Sequence, residues 1–131
     1  MTDAQRQLMS DAEQEVLKVL WDHGPVTVRD VVEYFAAAGQ ERTRSTVITL
    51  LQRLERKGYV DSDKSEHTFV FRAIVTRDQE VHARIQDLAG ELCDGEALPL
   101  VMAFAQQHRF TPEEIARFRQ LINEVSKRGG K

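Results

Sequence analysis

At Gly58 the spacing of apolar residues switches from three-and-four to two, and that switch fixes what the first 75 residues can become. Before it lie three helical stretches. Ser10 and Glu13 form a capping-box pair ahead of a stripe of Ala12, Val16, Val19 and Leu20, which Gly24-Pro25 stops. Val26 is a short extended step. Thr27 can cap a second helix with Val28, Val31, Val32 and Phe35 on one face, and a glycine stop follows within Ala36 to Gln40. The third helix is predicted to start near Thr43, to bury Val47, Leu50, Leu51 and Leu54, and to end at Gly58 as a left-handed cap. Beyond Gly58, Tyr59-Val60 and Thr68 to Ala73 read as paired strands, with Phe69 and Phe71 on one face as packing residues and a polar tip between. Trp21 is expected to fill the core beneath them. Three short helices and a hairpin make a winged helix-turn-helix over residues 1–75, in a mainly α chain with a small β-hairpin wing.

Residues 76–131 read as three more helices. Thr76 caps one bearing Val81, Ile85, Leu88 and Leu92. Leu98 to Gln107 forms a short apolar one with Val101 and Phe104. Thr111-Pro112-Glu113-Glu114 starts a third carrying Phe118, Leu121, Ile122 and Val125, before a loose polar tail from Ser126 to Lys131. A lobe this small buries little surface by itself. Two copies packed through Ile85, Leu88, Leu92, Val101, Phe104, Phe118, Leu121, Ile122 and Val125 would bury these faces. Folding back onto the winged helix of the same chain is the alternative.

Charge is distributed unevenly. The chain carries a net charge of −3, yet Arg42, Arg44, Arg53, Arg56 and Lys57 crowd a segment whose only acid is Glu55. A major groove admits one helix, reads short polar groups on its first turns, and takes phosphate contacts from flanking cations. Ser45, Thr46 and Thr49 supply hydroxyls to bases, and Ile48 can meet a thymine methyl. Arg42, Arg44 and Arg53 can engage phosphates, with Lys64 and His67 reaching the backbone from the hairpin tip. The implied partner is double-stranded DNA. A solvated face on a protein-docking module is the competing reading, and a ligand- or metal-sensing regulator is a third.

Other chemistry finds little support. Cys93, the single cysteine, cannot staple a fold and suits a reducing cytoplasm; it reads as a small buried hydrophobe. His23, His67, His82 and His108 are scattered, so no metal or other cofactor is expected. Glu113-Glu114 serves a helix terminus, and no P-loop, H-E-x-x-H, G-x-S-x-G or dinucleotide signature points to an enzyme. MTDAQRQLMS lacks signal-peptide character, and the apolar run from Ala97 to Ala105, broken by Pro99, is about half of the ~20 residues a membrane span needs. A cytoplasmic protein without membrane insertion is expected.

MSDAEQEVLKVLWDHGPVTVRDVVEYF (Met9 standing where leucine is usual), TRSTVITLLQRLERKGYV, TFVFRAIVT and LVMAFAQQHRFTPEEIARFRQLI together resemble the BlaI/MecI/CopY family of bacterial repressors over roughly residues 8–126. The most specific parts are the turn from Trp21 to Thr27, the T-V-x-T-L-L-x-R-L-x-x-K-G helix from Thr46 to Gly58, and F-T-P-E-E-I from Phe110 to Ile115. The resemblance implies a dimeric winged-helix repressor on near-palindromic operators, with base contacts from Ser45, Thr46, Ile48 and Thr49. The antibiotic-resistance branch has lysine and arginine where this chain has Ser45 and Ile48, which implies a different operator. In that branch a membrane-bound sensor protease system signals and the repressor is cut; the matching bond is Ala103–Phe104, with Ala103 replacing asparagine. The copper-responsive branch carries paired cysteines near the C-terminus, which Cys93 alone does not match.

Overall fold

The computed structural model describes residues 7–129, so residues 1–6, where the signal-peptide reading falls, and the last two of the expected tail lie outside it. The chain divides into two compact units, one running to Ile85 and one starting at Gln86.

In the first unit, helix α1 spans Asp11–His23, strand β1 Val26–Thr27, α2 Val28–Ala37, α3 Arg44–Arg56, β2 Val60–Asp63 and β3 Val70–Ala73. The caps follow from the sequence. The Ser10 hydroxyl accepts the Glu13 N–H at 3.1 Å and the Glu13 carboxylate accepts the Ser10 N–H at 2.9 Å. Thr27 and Asp30 repeat the exchange at 3.0 Å each. Helix α3 ends as anticipated: Gly58, at φ 90°, sends its N–H to Glu55 and lets Tyr59 N–H reach the Leu54 carbonyl. The stripes of the three helices meet in one core of Val16, Leu17, Leu20, Val31, Phe35, Val47, Leu51 and Leu54, closed by Tyr59, Val60 and Phe71.

The sheet is larger than the expected hairpin. Its order is β1-β3-β2, antiparallel throughout, with Val26 opposite Phe71 and Val60 opposite Ala73. The extended step at Val26 thus becomes a third strand. Strand β2 also runs on through Asp61–Asp63, into the polar stretch between the two expected strands. Asp61 pairs across the strands with Arg72 at 3.2 Å, and the Ser62 hydroxyl donates to Glu55 at 2.8 Å. Phe71 is buried, but Phe69 precedes the strand and is 45% exposed, so the two do not share a packed face. Trp21 is half-buried at the core's margin, its Nε1–H donating to the Val75 carbonyl at 2.8 Å.

Helix α4, Arg77–Leu92, starts at Thr76, whose hydroxyl accepts the Gln79 N–H. The sequence places a division at 75/76; the first turns of α4 belong to the first compact unit and are tied to α1. Arg77 pairs with Asp22 at 2.7 Å and lies over the Trp21 ring, and Arg84 bonds Gln14. The second unit contains α5, Leu98–Gln107, and α6, Pro112–Gly129. Thr111 caps α6 by exchanging hydrogen bonds with Glu114. Ser126 to Gly129 belong to α6 rather than to a loose tail: Lys127 and Arg128 lie in its last turn, where cations complement the helix dipole.

Glu13 is a buried carboxylate whose ion pair reaches the end of another helix, 2.7 Å from Lys57 Nζ. Burial pushes its carboxyl up, but the Lys57 ammonium and the Ser10 N–H outweigh this and hold it below its usual 4.5. Glu13→Ala removes half a capping box and leaves Lys57 largely buried without its carboxylate. A loss of about 2–3 kcal/mol is expected in urea unfolding. Because the folded-state value is lowered, the stabilisation is complete above about pH 4.5 and fades as pH falls through that lowered value, so the gap between parent and Glu13→Ala should narrow in acid.

Candidate nucleic-acid interface

Helix α3 begins with a cluster of hydroxyls. Thr43 is its cap, accepting the Thr46 N–H at 3.1 Å, while its own O–H is donated to Thr46 Oγ1 at 2.9 Å. That bond uses the Thr46 oxygen as acceptor and leaves the Thr46 O–H available as a donor. Threonine is a mediocre helix former; here Thr43 serves the cap, and Ser45, Thr46 and Thr49 stand exposed on the first turns. Burial of Val47, Leu50, Leu51 and Leu54 turns this face outward.

The outward face has two edges. Ser45, Thr46, Thr49 and Arg53 border a shallow hollow of about 290 Å³. Arg44, Ile48 and Gln52 border a groove of about 570 Å³ whose other wall comes from Thr27, Val28 and Arg29 and from His67, Thr68 and Phe69. Ile48 is half-buried there. Of the expected base and phosphate residues of α3, Arg44, Ser45, Thr46, Thr49 and Arg53 are exposed and Ile48 is half-buried, and they are split between two edges. Gln52 and Arg29 were not among the expected contacts; the four-residue spacing of Arg44, Ile48 and Gln52 was the available signal for the first.

The cations sort in a way the charge count could not show. Arg42 is engaged within the chain: its guanidinium pairs with Glu15, bonds Gln40, and lies 4.7 Å from the Phe35 ring centroid. A phosphate contact from Arg42 would have to compete with that carboxylate. Lys57 is likewise held by Glu13. Arg44, Arg53 and Arg56 remain exposed, with no ion pair among the described residues. At the wing tip, Asp63 accepts the Ser65 O–H and N–H at 2.7 and 3.0 Å, bonds that hold its carboxyl below the usual range. This turn carries Lys64, whose Nζ stands 5.7 Å from the Phe69 ring.

The residues expected to mediate dimerisation are all open to solvent in the single chain. Ile85 closes the first unit; Leu88 and Leu92 begin the second. Helices α5 and α6 contain no buried residue. Phe104 is 62% exposed and Ile122 51%, with Val101, Phe118, Leu121 and Val125 also exposed. Val101, Phe104, Phe118 and Leu121 line a hollow of about 540 Å³. Ala103 and Phe104 lie inside α5, with the Phe104 ring stacked 4.8 Å from that of His108, so the bond between them is helical. Cys93 is half-buried, and no cluster of metal-ligating side chains occurs among the described residues. None of the described helices is long and apolar enough to cross a membrane.

An exposed helix with hydroxyls on its first turns, flanked by arginines that make no ion pair among the described residues and by a wing bearing Lys64, is the working surface of a winged-helix DNA-binding regulator. Known proteins agree. Residues 9–124 match the family profile described as penicillinase repressor. The penicillinase repressor of Bacillus licheniformis is 25% identical over 120 residues, covering 92% of this chain and 93% of that protein. The methicillin resistance regulatory protein MecI of Staphylococcus aureus strain N315 is 22% identical over 116 residues, 88% of this chain and 94% of its own length. The solution structure of the DNA binding domain of the repressor BlaI superposes with a TM-score of 0.50 at 28% identity, over 57% of this chain and 90% of that structure. The chain belongs to the penicillinase repressor family, and it is a DNA-binding transcriptional repressor.

Two substitutions probe the edges of α3. Arg53→Ala should weaken binding to all DNA sequences and lower the slope of log affinity against log salt by about 0.9, the signature of one lost phosphate contact; an unchanged slope would remove Arg53 from the interface. Thr49→Val should instead change which sites are selected from a random pool while non-specific affinity holds. Identical selected sites would place Thr49 away from the bases.

Proposed function

We propose that the chain represses as a homodimer, joined through the end of α4 and through α5 and α6, that lays one α3 in each of two major grooves of a near-palindromic operator. The observation that carries this reading is that apolar α5 and the apolar face of amphipathic α6 hold no buried residue. Monomeric proteins seldom leave so much contiguous apolar surface in water. A second copy of the same face covers it by two-fold symmetry.

In this dimer Ser45, Thr46 and Thr49 offer hydroxyls to base edges, Ile48 offers a methyl surface to thymine, and Arg44, Arg53, Lys64 and His67 meet the backbone. Half-sites lie one turn or a small multiple apart, about 34–36 Å per turn. Occupancy excludes polymerase, and a signal that loosens the dimer frees the promoter. If that signal is a sensor protease acting at Ala103–Phe104, α5 must first open, because proteases act on extended chain.

Sedimentation with operator-sized duplexes tests the proposal. The parent should sediment as a dimer and bind promoter fragments in salt-sensitive fashion. Ile122→Asp places an unpaired charge in the apolar face and should weaken association by more than about 100-fold, roughly 3 kcal/mol. A parent that stays monomeric and ignores duplex DNA in dilute buffer overturns the proposal; an intact Ile122→Asp dimer moves the interface off α6.

A further inference from the structure

The groove beside the wing holds a side chain suited to reading bases that is neither a cation nor a hydroxyl. Gln52 is exposed on α3, and its amide has no hydrogen-bond partner among the described residues. It stands four residues beyond Ile48 and eight beyond Arg44, so the three form one row along the helix. All three line the groove, with Arg29 and His67 opposite, and no aspartate or glutamate is among its described lining residues. A carboxylate there would repel DNA and compete for the amide hydrogens; none lines the groove among the described residues, so the Gln52 amide keeps both its carbonyl oxygen and its NH₂ for a ligand.

We infer that Gln52 is a specificity-determining residue that recognises an adenine edge in the major groove, on the wing side of α3. The glutamine amide carries a donor and an acceptor in a fork that matches adenine N7 and N6–H₂, and none of the hydroxyls on the other edge can form that bidentate pair. Four residues of helix rise about 6 Å, close to two base-pair steps of 3.4 Å, so the adenine lies within about two base pairs of the base that Ile48 touches. The inference rests on α3 entering the major groove, as proposed above.

Site selection from a randomised duplex pool tests it, using the full chain and its Gln52→Ala and Gln52→Arg variants. Gln52→Ala should lose its preference at one base pair per half-site and bind the parent's selected site roughly 10- to 100-fold more weakly, with the salt slope unchanged. Gln52→Arg should acquire guanine at that same position, since the guanidinium fork matches guanine O6 and N7. Identical sites for all three proteins, or a Gln52→Ala variant weakened equally on every sequence, overturns the assignment while leaving the groove placement of α3 intact. A parent that selects no site at all overturns both.

Discussion

The outward face of α3 exists because of how its inward face is held, and the Glu13–Lys57 pair marks that hold. One carboxylate oxygen accepts both the Ser10 N–H that starts α1 and the ammonium of the residue that ends α3. The start of one helix is thereby fastened to the end of another, and Val16, Leu17 and Leu20 fill the space against Val47, Leu51 and Leu54. A buried ion pair is a modest source of net stability, because desolvation offsets much of its attraction. Its consequence here is directional: a different rotation of α3 would strand Glu13 unpaired in the core.

The same internal pairing decides which charges a nucleic acid meets. Arg42 and Lys57 are spent on Glu15 and Glu13, whereas Arg44, Arg53 and Arg56 are not. An overall charge of −3 does not prevent binding to a polyanion. At physiological salt, screening reduces interactions beyond about 8 Å, so a phosphate senses the nearest guanidinium far more than distant acids. A mildly acidic repressor can therefore bind DNA strongly at the correct surface while its remaining surface contributes little non-specific attraction.

Most of the winged helix was legible because its signals are local. Ser10–Glu13, Thr27–Asp30 and Gly58 carry their geometry in residues a few positions apart, and each cap formed as the sequence indicated. What escaped reading depends on distant partners. Val26 and Thr27 are too few to announce a strand, and become one only because β3 passes beside them. Asp61 to Asp63 have poor strand propensity, yet β3 supplies Arg72 and a free edge. Within the candidate site, the exposed hydroxyls followed from helix periodicity. Arg42 looked identical to Arg44 in sequence, since the carboxylate that claims it lies 27 residues away. Gln52 escaped notice because a polar uncharged side chain becomes informative only when the groove wall opposite it is known.

The bare apolar faces of α5 and α6 connect stability to function in the proposed dimer. If association supplies the burial those helices lack, their order depends on protein concentration as well as on sequence. A single α3 contacts only a few base pairs, so useful operator affinity comes from joining two such modules, where the second binds at the high effective concentration set by the first. Loss of the joint then costs far more occupancy than loss of any one contact on α3. An inducing signal consequently has no need to touch the DNA-binding face: loosening α5 or α6 suffices, and the hydroxyls and arginines of α3 can stay fixed while the repressor lets go.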